Sequence, residues 1–214
     1  MVANPRTPSA EADLAFMRSI VEGGGRPQLT LAVAYLAGGL LYGLQCLFHL
    51  GQATGLIRWP DPVNLAVVAG ISAAFLVVLF WAIRRDRRDG AAGGRGPLAS
   101  RAMSAGLNGA GMANAAIILV FGVGAVRDQD FGVWLYYPAM IFALQSAAWY
   151  VAWSLKRKRW MLATAVGGWL TAVVLGLLVR EPLWYLGVCT VALLALFALP
   201  GWIMYRDARA GPQA

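Results

Sequence analysis

Apolar residues in this chain come in long blocks. They do not alternate with polar residues, as in an exposed strand, or line one face of a soluble helix. Six blocks run from about 29 to 50, 63 to 83, 102 to 126, 133 to 155, 160 to 179 and 182 to 205. At about 1.5 Å of rise per residue, each covers roughly the 30 Å hydrocarbon core of a bilayer. The pattern predicts an all-α, polytopic integral membrane protein with six transmembrane helices. Pro182 suits the first turn of the sixth, where a missing N–H leaves no bond broken, and Pro138 would do the same for the fourth. Pro200-Gly201, near the end of the sixth, is expected to kink that helix or end it.

Ahead of the blocks, residues 10–22 place Leu14, Met17 and Val21 at helical spacing with Ile20 beside them, and Gly23, Gly24 and Gly25 follow. Glu11, Asp13 and Glu22 interrupt this region, so it does not read as a signal peptide. Its acidic residues balance Arg6, Arg18 and Arg26, which argues against an anionic-lipid anchor. The expected organisation is a cytoplasmic leader with an amphipathic helix (1–28), a six-helix bundle (29–206) and a short cytoplasmic tail (207–214).

Charge orients the blocks. The connections after the first, third and fifth carry one arginine each, Arg58, Arg127 and Arg180. The remaining fifteen Lys and Arg lie in the leader, the other connections and the tail. Arg84, Arg85, Arg87 and Arg88 form one cluster; Lys156, Arg157, Lys158 and Arg159 form another. Basic clusters stay in the cytoplasm, so both termini are expected inside, in a bacterial-type inner membrane. Trp59, Trp134, Tyr136, Tyr137, Trp184 and Tyr185 at one set of ends and Trp81, Trp153, Trp160, Trp202 and Tyr205 at the other read as two interfacial belts. The net charge of +8 is thus explained by topology. No basic stripe with interleaved aromatics is present, which excludes nucleic acid as a partner.

Two short alignments raise an internal repeat. Leu44-Gln45 matches Leu144-Gln145, and Gly122, Arg127, Asp128 match Gly201, Arg206, Asp207 in spacing. Halves 29–128 and 131–207 would each hold three spans, which makes the repeat an inverted one, as in some transporters. Shared apolar composition produces such matches equally well.

Conventional catalytic groups are missing. No Asp or Glu lies within a block, which argues against proton-coupled transport. The one histidine, His49, supplies neither a haem pair nor a zinc cluster, and no cofactor or metal is expected. Asp86-x-x-Asp89-Gly90 is similar to the opening of the metal motif of CDP-alcohol phosphotransferases. That family needs two further aspartates on the next helix, and residues 91–127 contain no acidic residue. Asp86 and Asp89 therefore read as charge balance in a cytoplasmic loop. The glycines at 93–96 lack the following Lys-Ser or Lys-Thr of a phosphate loop.

Polar residues inside the blocks form the candidate site. Tyr35, Gly38, Gly39, Tyr42, Gln45, Cys46 and His49 recur along one stripe of the first block. Asn108 and Asn114 stand in the third among small residues, with Ala105, Gly109 and Ala113 in one row and Gly106 and Ala110 in another; Gln145 and Ser146 lie near the middle of the fourth. Interhelical hydrogen bonding is the plainer reading, at about 0.6 kcal/mol apiece. The sharper one is a polar pocket walled by Tyr42, Gln45, His49, Asn108, Asn114 and Gln145. Cys46 and Cys189, at comparable depth, read as small apolar residues, with a redox role as the lesser reading.

The expected function is a non-enzymatic accessory or sensory membrane subunit. Its partners would be the bilayer and a protein docked on residues 10–22, or a second copy held by the small-residue helix faces. The alternative is a facilitator or binder of a small neutral or apolar solute, with its pocket between the first, third and fourth spans. An enzyme acting on lipid has the least support, for want of a catalytic group.

Overall fold

The computed structural model describes residues 29–88 and 98–209, and among them no strand occurs. Helices α1 (Leu29–Ala53), α2 (Asp61–Arg88) and α3 (Leu98–Asp128) are followed by a short α4 (Phe131–Trp134). Next come α5 (Tyr137–Lys156), α6 (Arg159–Leu177), α7 (Pro182–Leu193), a π-helical turn (Leu194–Ala198) and α8 (Leu199–Arg209). Helix α1 packs on α2 and on the α7–π–α8 arm, α5 lies between α3 and α6, and α6 also touches α7.

Five stretches are long and apolar enough to cross a membrane: Leu29–Ala53, Asp61–Arg88, Arg101–Asp128, Arg159–Leu177 and Pro182–Arg209. This is the build of a multi-pass membrane protein. Helix α5, expected as a sixth span, is not among them. Gln145, Ser146 and Trp149 dilute its apolar character, and all three are buried against neighbouring helices. Helices α2 and α3 show the opposite balance. Leu65, Val77, Leu119 and Val120 are each about 70% exposed, an apolar surface of the kind that lipid or a further apolar helix covers.

Several boundaries differ from the expected ones. Helix α2 does not stop at 83; it continues through the arginine cluster to Arg88. Arginine is a good helix former, and its long stem lets the charge reach water from a helix end. The fourth block does not start at 133. Asp130 caps α4, its Oδ1 accepting the Gly132 N–H at 2.8 Å. The chain then turns at Leu135 and Tyr136, and Pro138 falls in the first turn of α5. Pro200 does not end the last helix, which runs to Arg209, three residues into the expected tail. The disturbance appears just upstream: Leu199 N–H reaches back to Leu194 O, making the wide π turn. The leader, residues 10–22 included, the glycines at 93–96 and residues 210–214 lie outside the described residues.

One end of the bundle gathers the basic segments. Lys158 pairs with Asp207 at 3.5 Å, joining the α5–α6 connection to α8. Arg84 stacks over Phe80, Arg157 over Trp153 and Arg209 over Tyr205, at 4.8, 5.2 and 4.6 Å. At the opposite end Arg127 donates two hydrogen bonds to the Asp128 carboxylate, at 2.7 and 2.9 Å.

Candidate functional site

The interior has two layers. The layer nearer the basic end holds Leu31, Tyr35, Met103, Leu107, Trp149, Met161 and Met204. The other holds Phe142, Leu175, Tyr185, Cys189 and Ala192. Residues 142, 145, 146, 149 and 152 of α5 recur every three or four positions, so one face of that helix enters both layers.

The centre of the polar arrangement is Tyr35 with Gln145. Both are about 5% exposed, and the tyrosine hydroxyl donates to Gln145 Oε1. The Tyr35 ring stacks on Phe197 at 5.2 Å and meets Trp149 edge-on at 5.2 Å; Trp149 in turn meets Trp160 at 5.3 Å. Rings from α1, α5, α6 and the π turn thus enclose one buried hydrogen bond.

The α1 stripe divides between two neighbours. Gly38 and Tyr42 face α2: the Tyr42 ring lies 5.4 Å from Phe75, and its side chain faces Ser72. Gly39 and Gly43 face the last arm. A Cβ at Gly39 would stand 2.8 Å from Ala198 Cα, and one at Gly43 would stand 3.2 Å from Leu194 Cδ2. Gly201 answers from the other side, where a Cβ would stand 2.7 Å from Leu36 Cα. Small residues here let two backbones touch, the main source of helix association where lipid removes the hydrophobic drive.

The remaining candidates sit apart. His49 Nδ1 lies 3.0 Å from Gln52 Oε1, one turn further along α1. Among the described residues Gln45 Oε1 and Asn114 Oδ1 are buried acceptors without a donor, and Asn108 is exposed on α3. Among the described residues no hydrogen bond joins Tyr42, Gln45, His49, Asn108, Asn114 and Gln145 to one another. A groove of about 510 Å³ lies at the far end of α3, lined by Ile118, Leu119, Gly122, Val123, Val126, Arg127 and Trp134. It is apolar and includes none of the six.

No family model, curated protein or solved structure matches the chain.

Two features do not follow from the sequence pattern. Asp86, expected as charge balance in a loop, is helical and only 7% exposed; its Oδ2 accepts the Thr30 N–H at 2.7 Å. The first turn of α1 has no acidic residue of its own, so α2 supplies the carboxylate to its orphan N–H groups and positive dipole end. A signal existed: Ser72, Phe75, Ala82 and Asp86 lie on one helical series of α2 facing α1. Asp86→Ala is expected to lower stability by about 1–2 kcal/mol. Asp86→Asn, which keeps an acceptor, should lose less. Thermal unfolding of the detergent-solubilised protein followed by circular dichroism checks both. The second feature is the contact between Cys46 and Cys189, whose Sγ atoms lie 3.7 Å apart.

Proposed function

We propose that the chain is a non-enzymatic accessory subunit of a bacterial-type inner membrane. In this reading α5 is a sixth span held mainly by protein, and both termini are cytoplasmic. Support for the orientation comes from Arg84, Arg85, Arg87, Arg88 and the run 156–159 at one end of the bundle, since basic clusters stay on the cytoplasmic side.

The observation that carries the subunit reading is the uncovered face of α3. Among the described residues a Cβ at Gly106 or Gly109 would meet nothing within 4 Å, whereas Gly39, Gly43, Gly168 and Gly201 are all crowded. Exposed Asn108 stands beside this face, and an amide in hydrocarbon needs a hydrogen-bond partner. A second transmembrane helix satisfies both requirements, from another protein or another copy of this chain.

A photoreactive residue at position 109, activated in native membranes, tests this. A discrete protein adduct is expected, while the same group at Val77, exposed on α2, should label lipid only. Labelling of lipid alone at 109 would remove the basis for the reading.

The facilitator reading keeps one specific observation, the donorless acceptors Gln45 Oε1 and Asn114 Oδ1. Glycerol flux into proteoliposomes separates the two. The subunit reading expects flux equal to that of empty vesicles; flux that is abolished by Asn114→Leu would favour the facilitator.

A further inference from the structure

The chain has two cysteines, and they are separated by 143 positions. The fold nevertheless brings them together: the Cys46 thiol faces Cys189 Sγ at 3.7 Å, and both are free. Cys189 is 3% exposed within the layer of Tyr185 and Phe142; Cys46 is half-buried beside it.

The meeting is built into the α1 contact with the last arm. Going along α1, Leu36, Gly39 and Gly43 face Gly201, Ala198 and Leu194 in antiparallel register. Cys46 then faces Cys189. At about 100° per residue, an unbroken α-helix would leave Cys189 and Gly201 roughly 120° apart around the axis. The π turn at Leu194–Ala198 absorbs about one residue and returns both to the same side. The same wide turn that accommodates Pro200 therefore aims Cys189 at Cys46.

We propose that Cys46 and Cys189 form a dithiol–disulfide site that staples α1 to α7 by exchange with a small disulfide-class oxidant. A disulfide needs its sulfurs at about 2.05 Å, a short approach for two neighbouring thiols that rotate about their own side-chain bonds. Cys46 is the more accessible and reacts first. Its thiolate attacks one sulfur of the oxidant, releasing one thiolate and leaving a mixed disulfide. The Cys189 thiolate then attacks Cys46 Sγ and releases the second. Two protein thiols and one disulfide become one protein disulfide and two small thiols; the two thiol protons pass to the leaving thiolates. The proposal holds whichever end of the bundle faces the cell interior, and it is independent of the subunit reading.

The test uses the full chain in detergent with 4,4′-dithiodipyridine, an apolar disulfide whose released thiopyridone is read by absorbance. The wild type is expected to release two thiopyridones per chain, lose about 2 Da and keep no pyridyl group. Peptide mapping without reductant should recover one cross-linked peptide pair containing Cys46 and Cys189. The melting midpoint should rise on oxidation and fall back with dithiothreitol. Cys189→Ser should release one thiopyridone and keep the pyridyl adduct on Cys46. A wild-type chain that keeps two pyridyl adducts, joins other chains through these cysteines, or leaves both thiols unmodified while folded would overturn the proposal. The wild-type mass and peptide map decide it even if the serine variant fails to fold.

Discussion

Alanine at Gly39 or Gly201 is expected to destabilise the bundle by about 1–3 kcal/mol, and leucine at either is expected to prevent its assembly. Each added Cβ would run into backbone of the opposing helix, Ala198 in one case and Leu36 in the other. Backbone cannot rotate away as a side chain can, so the helices must separate along the whole contact. The two alanines should not add. The first already opens the gap, and the double variant should fall short of the sum. Gly70 is the control: among the described residues a Cβ there meets nothing within 4 Å, so Gly70→Ala should be neutral or slightly stabilising through helix propensity. Unfolding in detergent by circular dichroism measures all of these. Equal effects at positions 39 and 70 would contradict the described contact.

Trp149→Ala is expected to cost more than either glycine-to-alanine change, about 3–5 kcal/mol. Trp149 is 1% exposed and its ring touches Tyr35 and Trp160, so it ties α5 to α1 and to α6. Removing it leaves a cavity around the Tyr35–Gln145 hydrogen bond. Trp149→Phe should lose much less, because the indole Nε1 makes no well-formed hydrogen bond that phenylalanine would give up. Trp184, 72% exposed at the other end of the bundle, offers the contrast: its alanine variant should stay within about 0.5 kcal/mol of wild type. The same unfolding measurement reads both, and matching losses at positions 149 and 184 would refute the assigned packing.

The lengths and order of most helices are legible in the sequence, because an apolar block of bilayer length is hard to place anywhere but in a membrane. The arginine-bearing end of α2 is not, since a run of charges resembles a loop when it is in fact a helix end with its side chains stacked on Phe80 and Trp81. Helix α5 stands between the two cases. It is legible as a helix, yet its buried Gln145, Ser146 and Trp149 carry it below the composition of its neighbours. The types of polar residue are legible, but their partners are not. Tyr35 and Gln145 both stand out among apolar neighbours, and nothing in one dimension joins residues on different helices. Asp86 needs the free end of another helix to acquire its role. The glycines make the point most sharply. Gly39 and Gly109 stand in similar small-residue rows, and only three dimensions tell that the first is filled and the second open.

The register of α1 against α8 also imposes an order on biosynthesis. Helix α1 has Gly39 and Leu36 seated on Ala198 and Gly201, near the far end of the chain. Until the ribosome has delivered that last arm, Tyr35 has no Phe197 to stack on, and the α1 N-terminal layer lacks Met204. The nascent bundle therefore waits in the membrane as an open clasp. A ribosome that stops before residue 182 leaves the clasp unfastened, with the α1 surface that Phe197 and Met204 cover left open.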